Sequence, residues 1–342
     1  MRISFASDNT SGVHPKVLRA LEVASRISSA PAYGADELTD EIQKLVSKRF
    51  GPGTEAFFVF NGSAANVLSL APFLKPFEAV ITADSSHLEN DECGAFERIV
   101  GSKILTVPAV HGKLTPELIE PMLAGRGDIH HAQPRAISIT QTTECGTLYT
   151  LSEMKALADY AHAHDLILHV DGARFSNAVA ALGVSLADMA KTGMDVLSFG
   201  GTKNGLMLAE AVVFFNRPKE AKSYLYHRKQ SLQLASKMRF MAAQFAAYIE
   251  EDLFLQNARH ANAMGQRLAQ GLKAVPGIEI MHPVEANVAF VKIPQKMREA
   301  LEKDFYFYMW DEAASVARWM CSFETTSEQV DALVSAVRRL SA

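Results

Sequence analysis

Two stretches of the chain place charged side chains where apolar runs end. They are Leu168-His169-Val170-Asp171-Gly172-Ala173-Arg174 and Ser198-Phe199-Gly200-Gly201-Thr202-Lys203-Asn204-Gly205. In an open α/β sheet, ligands bind in the crevice at the carboxyl ends of the strands. A carboxylate at one strand end and a lysine just past a later one suit pyridoxal phosphate chemistry. The carboxylate keeps the pyridinium nitrogen protonated, so the ring accepts electrons. The lysine amine holds the aldehyde as a Schiff base. The glycines around Lys203 are expected to let the backbone approach the cofactor closely. The same residues would also serve plainer ends, with Asp171 capping a turn and Lys203 as a solvated loop residue.

Two further segments have chemical potential. Phe60-Asn61-Gly62-Ser63-Ala64-Ala65-Asn66 follows one apolar run and opens a helical pattern. Backbone N–H groups at a helix start, a hydroxyl and a glycine form an anion cup suited to a phosphate; a simple Ser63 N-cap is the plainer alternative. In Asp84-Ser85-Ser86-His87-Leu88-Glu89-Asn90-Asp91, the imidazole of His87 is placed to lie on the face of a cofactor ring, or merely to cap a turn. Neither GxGxxG nor GxxxxGK[ST] occurs, so dinucleotide and P-loop sites lack their usual mark.

The elements that must position these residues follow from the apolar patterning. Strands are expected at 57–60, 79–82, 103–108, 136–140, 167–170, 196–199 and 211–215. Most have too few polar positions to face water, which suits a sheet covered on both faces. Helical patterns lie between them at 63–74, 89–100, 115–123, 151–164 and 186–191, which argues for a mainly parallel sheet. The connection from 196–199 to 211–215 is too short for a helical crossover, so that pair should be antiparallel. Long helices follow at 219–231, 237–250 and 253–275. Strands at 278–281, 288–291 and 318–323, with helices near 312–317 and 327–340, then describe a smaller unit. The division expected is an N-terminal segment 1–14 contributing to the site, a large α/β domain 15–249 and a small C-terminal α+β domain 250–342. Val17, Leu18 and Leu21 are expected to be core, and His111, His130, His131, His162 and His164 to be loop and helix-surface residues without partners.

Composition narrows the function. A net charge of −4 gives no global attraction to nucleic acid or an anionic membrane. Three dispersed cysteines, Cys93, Cys145 and Cys321, neither build a disulfide framework nor form a CxxC zinc motif, so no metal site is expected. Asp8 interrupts the N-terminus before any signal-peptide apolar run, and no stretch approaches bilayer-spanning length. A soluble, cytoplasmic enzyme is the expectation.

The ordered set of motifs resembles the threonine aldolase family of fold-type-I pyridoxal phosphate enzymes. It runs from Ser7-Asp8-Asn9-Thr10 through the cup at 61–63, His87, Gly112-Lys113-Leu114 and Thr143-Glu144-Cys145-Gly146-Thr147. It continues through His169–Arg174 and Gly201-Thr202-Lys203 to Arg318-Trp319 and Phe323-Glu324-Thr325-Thr326. The resemblance implies a seven-stranded, mainly parallel sheet with helices on both faces and a smaller C-terminal domain. It implies that Gly62 and Ser63 bind the phosphate, His87 stacks on the ring, Asp171 pairs with the ring nitrogen and Lys203 carries the aldehyde. Arg174 would reach the ring hydroxyl or the substrate, while Ser7 and Arg318 would hold the substrate carboxylate. Family members are similar in being homotetramers built as dimers of dimers, so Lys229 and Arg239 would reach a neighbour's phosphate or form a solvated helix face. Many members have a histidine where this chain has Glu144, so the proton acceptor for the β-hydroxyl would be His87, Glu144 or a water they position. The implied reaction is retro-aldol cleavage of L-threonine, L-allo-threonine and related β-hydroxy-α-amino acids to glycine and an aldehyde. The alternatives are phenylserine cleavage, β-elimination or racemisation on the same scaffold, a catalytically idle binding relative and, weakest, a nicotinamide dehydrogenase.

Overall fold

The computed structural model describes residues 2–341. After a two-residue strand β1 (Ile3–Ser4) come helices α1 (Pro15–Ser25) and α2 (Glu37–Phe50), and then the strands of the main sheet. These are β2 (Thr54–Val59), β3 (Glu78–Ala83), β4 (Lys103–Val107), β5 (Gln133–Thr140), β6 (Ile167–Gly172), β7 (Val196–Phe199) and β8 (Glu210–Phe215). Their order is β2-β8-β7-β6-β5-β3-β4. The run β7-β6-β5-β3-β4 is parallel. The short β7–β8 connection produces the expected antiparallel pair, and β2 is also antiparallel to β8.

Every residue of β6, β7 and β8 is buried, which is why their sequences lack a polar face. The covering helices are α3 (Gly62–Leu70), α4 (His87–Asn90), α5 (Ala95–Val100), α6 (Pro116–Ile119), α7 (Leu151–Ala163), α8 (Phe175–Leu182) and α9 (Leu186–Ala190), followed by α10 (Pro218–Gln230) and α11 (Arg239–Ile249). One apolar cluster joins Val46, Ile137, Leu168, Phe199 and Phe245 on one face of the sheet, and another joins Leu68, Val80, Val196 and Phe214 on the other.

The long helix α12 (Leu253–Leu272) connects this body to a second layer. There β9 (Glu279–Ile280), β10 (Val288–Lys292), β12 (Tyr308–Asp311) and β13 (Val316–Met320) form an antiparallel sheet in the order β12-β13-β10-β9. Helices α13 (Gln295–Leu301) and α14 (Ser327–Ser341) flank it, and β11 (Phe305–Tyr306) pairs in parallel with β1. The N-terminus is thereby sewn to the C-terminal layer, and Phe5 enters that layer's core beside Leu268, Ala289 and Trp319.

Four expectations need correction. The helix at 89–100 is two pieces, because Cys93 and Gly94 both take positive φ and break it between Asn90 and Ala95. The helix near 312–317 is absent. Its residues turn between β12 and β13, where ladder pairing of Val316 with Lys292 and Asp311 overrides the helix preference of Ala313 and Ala314. Leu18 is 47% exposed while its neighbour Val17 is fully buried. Four histidines expected to be unpartnered are paired: His162 Nε2 meets Asp195 at 3.0 Å, His111 Nδ1 meets His282 at 2.9 Å, His164 Nδ1 meets Tyr160 O at 2.8 Å, and His131 Nε2 lies 3.6 Å from Asp128. No helix among the described residues is long and apolar enough to cross a membrane.

Candidate active site

Parallel register assembles the floor of the site. Thr140 pairs with Asp171, and Asp171 with Ser198, so the carboxyl ends of β5, β6 and β7 present three polar side chains in a row. Asp171 is buried and receives two donors, Ala173 N–H at 2.9 Å and Asn66 Nδ2 at 2.8 Å. Beneath it, His169 contacts Ser138 Oγ at 2.8 Å and Ser198 Oγ at 3.2 Å. Burial lowers the pKa of His169 to about 4, leaving it neutral.

Helix α3 points its N-terminus at the same space. Asn61, not Ser63, is its cap: Asn61 Oδ1 accepts from Ala64 N–H at 2.9 Å. The Ser63 hydroxyl is thus released from capping duty. A Cβ at Gly62 would meet no atom within 4 Å, so the helix start borders open space. Both residues line a cavity of about 380 Å³ together with His87, Glu144, Asp171, Arg174 and Lys203.

Lys203 sits in a short 3-10 turn, Thr202–Asn204, directly after β7. Protein packing alone already requires the two glycines before it. A Cβ at Gly200 would lie 2.3 Å from Ala173 O, and one at Gly201 would lie 2.6 Å from Ala209 O. Gly201 N–H donates to the buried Glu210 at 2.6 Å, which fixes the turn. Burial and the nearby Arg174 guanidinium depress the Lys203 pKa, opposed by Asp8, Asp171 and Glu210. An amine so disposed is closer to its neutral, nucleophilic form than a solvated lysine.

A second cavity of about 290 Å³ shares His87, Glu144, Arg174 and Lys203 with the first, and adds Ser7, Tyr308, Trp310 and Arg318. The Arg318 guanidinium lies 5.5 Å from the Tyr308 ring centre and 5.6 Å from that of Trp310, and donates to Ala6 O at 3.2 Å. Its Nε is buried with no partner. Arg174, which lines both cavities, is anchored from within the protein. Its Nε and Nη2 grip both oxygens of Asp8, at 2.7 and 2.8 Å, and Asp8 also accepts from Asn287 at 3.2 Å. Much of the Arg174 donor fork is therefore spent inside the protein.

Glu144 is reached through one oxygen only. Oε1 accepts from His87 N–H at 3.0 Å and from Thr140 Oγ1 at 2.7 Å, while Oε2 is buried and unpaired. Burial, reinforced by the charge of Asp171, raises its pKa to about 7. His87 Nδ1 contacts Glu92 Oε1 at 2.9 Å, which raises the His87 pKa.

The structure therefore brings Gly62, Ser63, His87, Glu144, Asp171, Arg174 and Lys203 to one cavity, and Ser7 and Arg318 to its neighbour. Lys229 and Arg239 line neither; Lys229 is exposed with its ammonium 4.8 Å from the Tyr33 ring centre, and Arg239 lies over Phe240. Sequence reasoning missed the roles of Asp8, Asn66, Glu92 and Glu210. Asp8 stood within a noted motif, and Cys93-Gly94 signalled the break that turns Glu92 inward. Asn66 and Glu210 carried no local signal.

A family model described as "Beta-eliminating lyase" matches residues 4–296. The chain is 43% identical over 337 residues to the low specificity L-threonine aldolase of Pseudomonas sp. (strain NCIMB 10558), covering 98% of this chain and 96% of that one. The like-named Pseudomonas aeruginosa protein matches at the same identity and coverage. Among solved structures, a Leishmania major threonine aldolase superposes with a TM-score of 0.93 at 29% identity, covering 99% of this chain and all of that one. An aspartate aminotransferase from Thermus thermophilus, at a TM-score of 0.72 and 17% identity, shares the fold.

Proposed function

The chain belongs to the β-eliminating lyase family, with low-specificity L-threonine aldolases as close relatives, and we propose that it is itself a pyridoxal-phosphate-dependent aldolase. It cleaves L-threonine, L-allo-threonine and related β-hydroxy-α-amino acids to glycine and an aldehyde. The observation that carries this function is the convergence of Lys203, Asp171, His87 and Glu144 on one cavity that opens into a second holding Arg318.

The residues present fit the cofactor. The helix start at Gly62 and Ser63 borders open space for a phosphate. Asp171, oriented by Asn66 and Ala173, is the partner for the pyridine nitrogen, and Lys203 is the depressed-pKa amine for the aldehyde. When bound, pyridoxal phosphate supplies an electron sink for the pair released at Cα as the Cα–Cβ bond breaks.

The remaining chemistry falls to the protein. Arg318, braced by two aromatic rings and with Nε unspent, grips the substrate carboxylate, with Ser7 beside it. Fixing that carboxylate fixes rotation about the N–Cα bond, and so selects which Cα bond breaks. As Cα–Cβ breaks, the β-hydroxyl proton must leave for the aldehyde to form. Glu144 and His87, which both line the cavity, are the acceptors, and a proton returned to Cα completes glycine. Arg174, held by Asp8, keeps positive charge beside the site.

We further read the chain as a 1–14 segment, a 15–249 body and a 250–342 unit, supported by two separate apolar cores that the opposite ends of α12 enter, Leu253 and Phe254 one and Leu268 and Leu272 the other. A cytoplasmic homo-oligomer, a tetramer as a dimer of dimers, is the accompanying proposal, with Lys229 and Arg239 contributing to a neighbour's site. The test loads the enzyme, reduces it with borohydride and maps the label, alongside a coupled acetaldehyde assay with L-threonine and L-allo-threonine. Label on Lys203 and acetaldehyde from either substrate are expected; no bound cofactor, or label on another lysine, would remove the proposal.

A further inference from the structure

A line of buried polar groups runs behind the cavity and links two residues that act on different sides of the cofactor space. Asn66 Nδ2 donates to Asp171 Oδ2 at 2.8 Å and to Glu92 Oε1 at 3.2 Å. Glu92 Oε1 in turn meets His87 Nδ1 at 2.9 Å. The amide orientation is unambiguous, because both neighbours are carboxylate oxygens and only the NH₂ group satisfies them. The Glu92 side chain is fully buried, and its Oε2 and Asn66 Oδ1 have no partner. A buried carboxylate held this way is costly unless it faces compensating donors. Its strongest available partner is the imidazole.

We propose that Glu92 is the positioning residue for His87, fixing its tautomer and basicity and tying it through Asn66 to Asp171. The inference rests on the retro-aldol function above. An Nδ1–H donated to Glu92 leaves Nε2 as the lone-pair nitrogen, available to the cavity that His87 lines. The arrangement repeats the logic of an acid orienting a catalytic imidazole. His87 is faced by Glu92 from the α4–α5 connection, Asp171 from β6 and Lys203 from the turn after β7. Asp91, Glu144, Arg174 and Arg318 share its cavity. Among these, only Glu92 touches the ring nitrogen.

A hydrogen-bonded carboxylate favours the imidazolium, so removing its charge should lower the His87 pKa. A base acts only when deprotonated, so any acid limb of kcat/KM set by His87 should move to lower pH by the same amount. The experiment compares full-length wild type, Glu92→Gln and Glu92→Asp by ¹⁵N-imidazole NMR titration and by pH–rate profiles. Wild type should show the Nδ1–H tautomer and a raised pKa. Glu92→Gln should lose both, with the limb following, and Glu92→Asp should restore part of each. Unchanged His87 titration and tautomer in Glu92→Gln would overturn the proposal, even if activity fell. The NMR result does not depend on turnover, so a wild type that made no glycine would remove the aldolase function while leaving this assignment to be judged on its own.

Discussion

Among single residues, the side chains whose hydrogen bonding is incomplete matter most to the site. Arg318 spends one nitrogen on Ala6 O and leaves Nε buried without a partner, as expected of a group awaiting an anion. Arg318→Ala should raise KM at least about tenfold, the equivalent of losing a charge-assisted pair. The cofactor absorption spectrum should be unchanged; loss of cofactor at constant KM would contradict the assignment. Glu144 offers a second test because its pKa is raised, from 4.5 to about 7. A raised carboxyl pKa contributes stability that is complete below about pH 4.5 and is lost as pH rises through about 7. Glu144→Gln cannot ionise, so its melting temperature relative to wild type should improve between pH 5 and pH 8. As a proton acceptor Glu144 works only when ionised, so wild-type kcat should fall on the acid side of about pH 7. The Gln variant should cleave about a hundredfold more slowly while binding glycine nearly as well. A melting difference that does not change with pH would show that Glu144 is solvated and ordinary.

At the scale of elements, apolar runs and the chemistry at their ends were readable. β6 through β8 are short, buried and bounded by polar residues, and Asp171 and Lys203 sit at a strand end or the turn after it. Contacts that depend on tertiary pairing were not readable. Nothing local distinguishes Asn66 from other residues on α3, yet it joins carboxylates from two distant segments. The 312–317 turn has helical composition, and only its pairing partners decide otherwise. The glycines beside Lys203 were visible but their reason was not, since Ala173 and Ala209 fill the space through the fold. A similar constraint acts on α12. A Cβ at Gly265 would lie 2.6 Å from Ala286 O and 3.0 Å from Asn287 Cα. In an open helix Gly→Ala gains about 1 kcal/mol, but here the obstruction is backbone, and overpacking costs about 1–3 kcal/mol. Strain should win, and Gly265→Ala should lower the urea midpoint without changing the slope. A midpoint equal to or above wild type would mean that α12 is free to shift.

At the scale of the whole molecule, two layers meet over the site. β1 pairs with β11, and Asp8, only a few residues further on, clasps Arg174 of the main body while accepting from Asn287 of the C-terminal layer. The N-terminal segment therefore joins both layers at the cavity wall. That the body and the C-terminal layer were separate was readable from the change in patterning after the long helix. Their junction through Asp8 was not, because an aspartate near the N-terminus carries no mark of burial. The consequence for function is that carboxylate binding, proton transfer and the cofactor cradle come from different layers and must act on one substrate. The most direct measurement incubates cofactor-loaded enzyme with L-allo-threonine and quantifies glycine, acetaldehyde, ammonia and 2-oxobutanoate in the same sample. Glycine and acetaldehyde are expected in equal amounts, with neither of the others; ammonia and 2-oxobutanoate in place of glycine would show β-elimination and rule out retro-aldol cleavage.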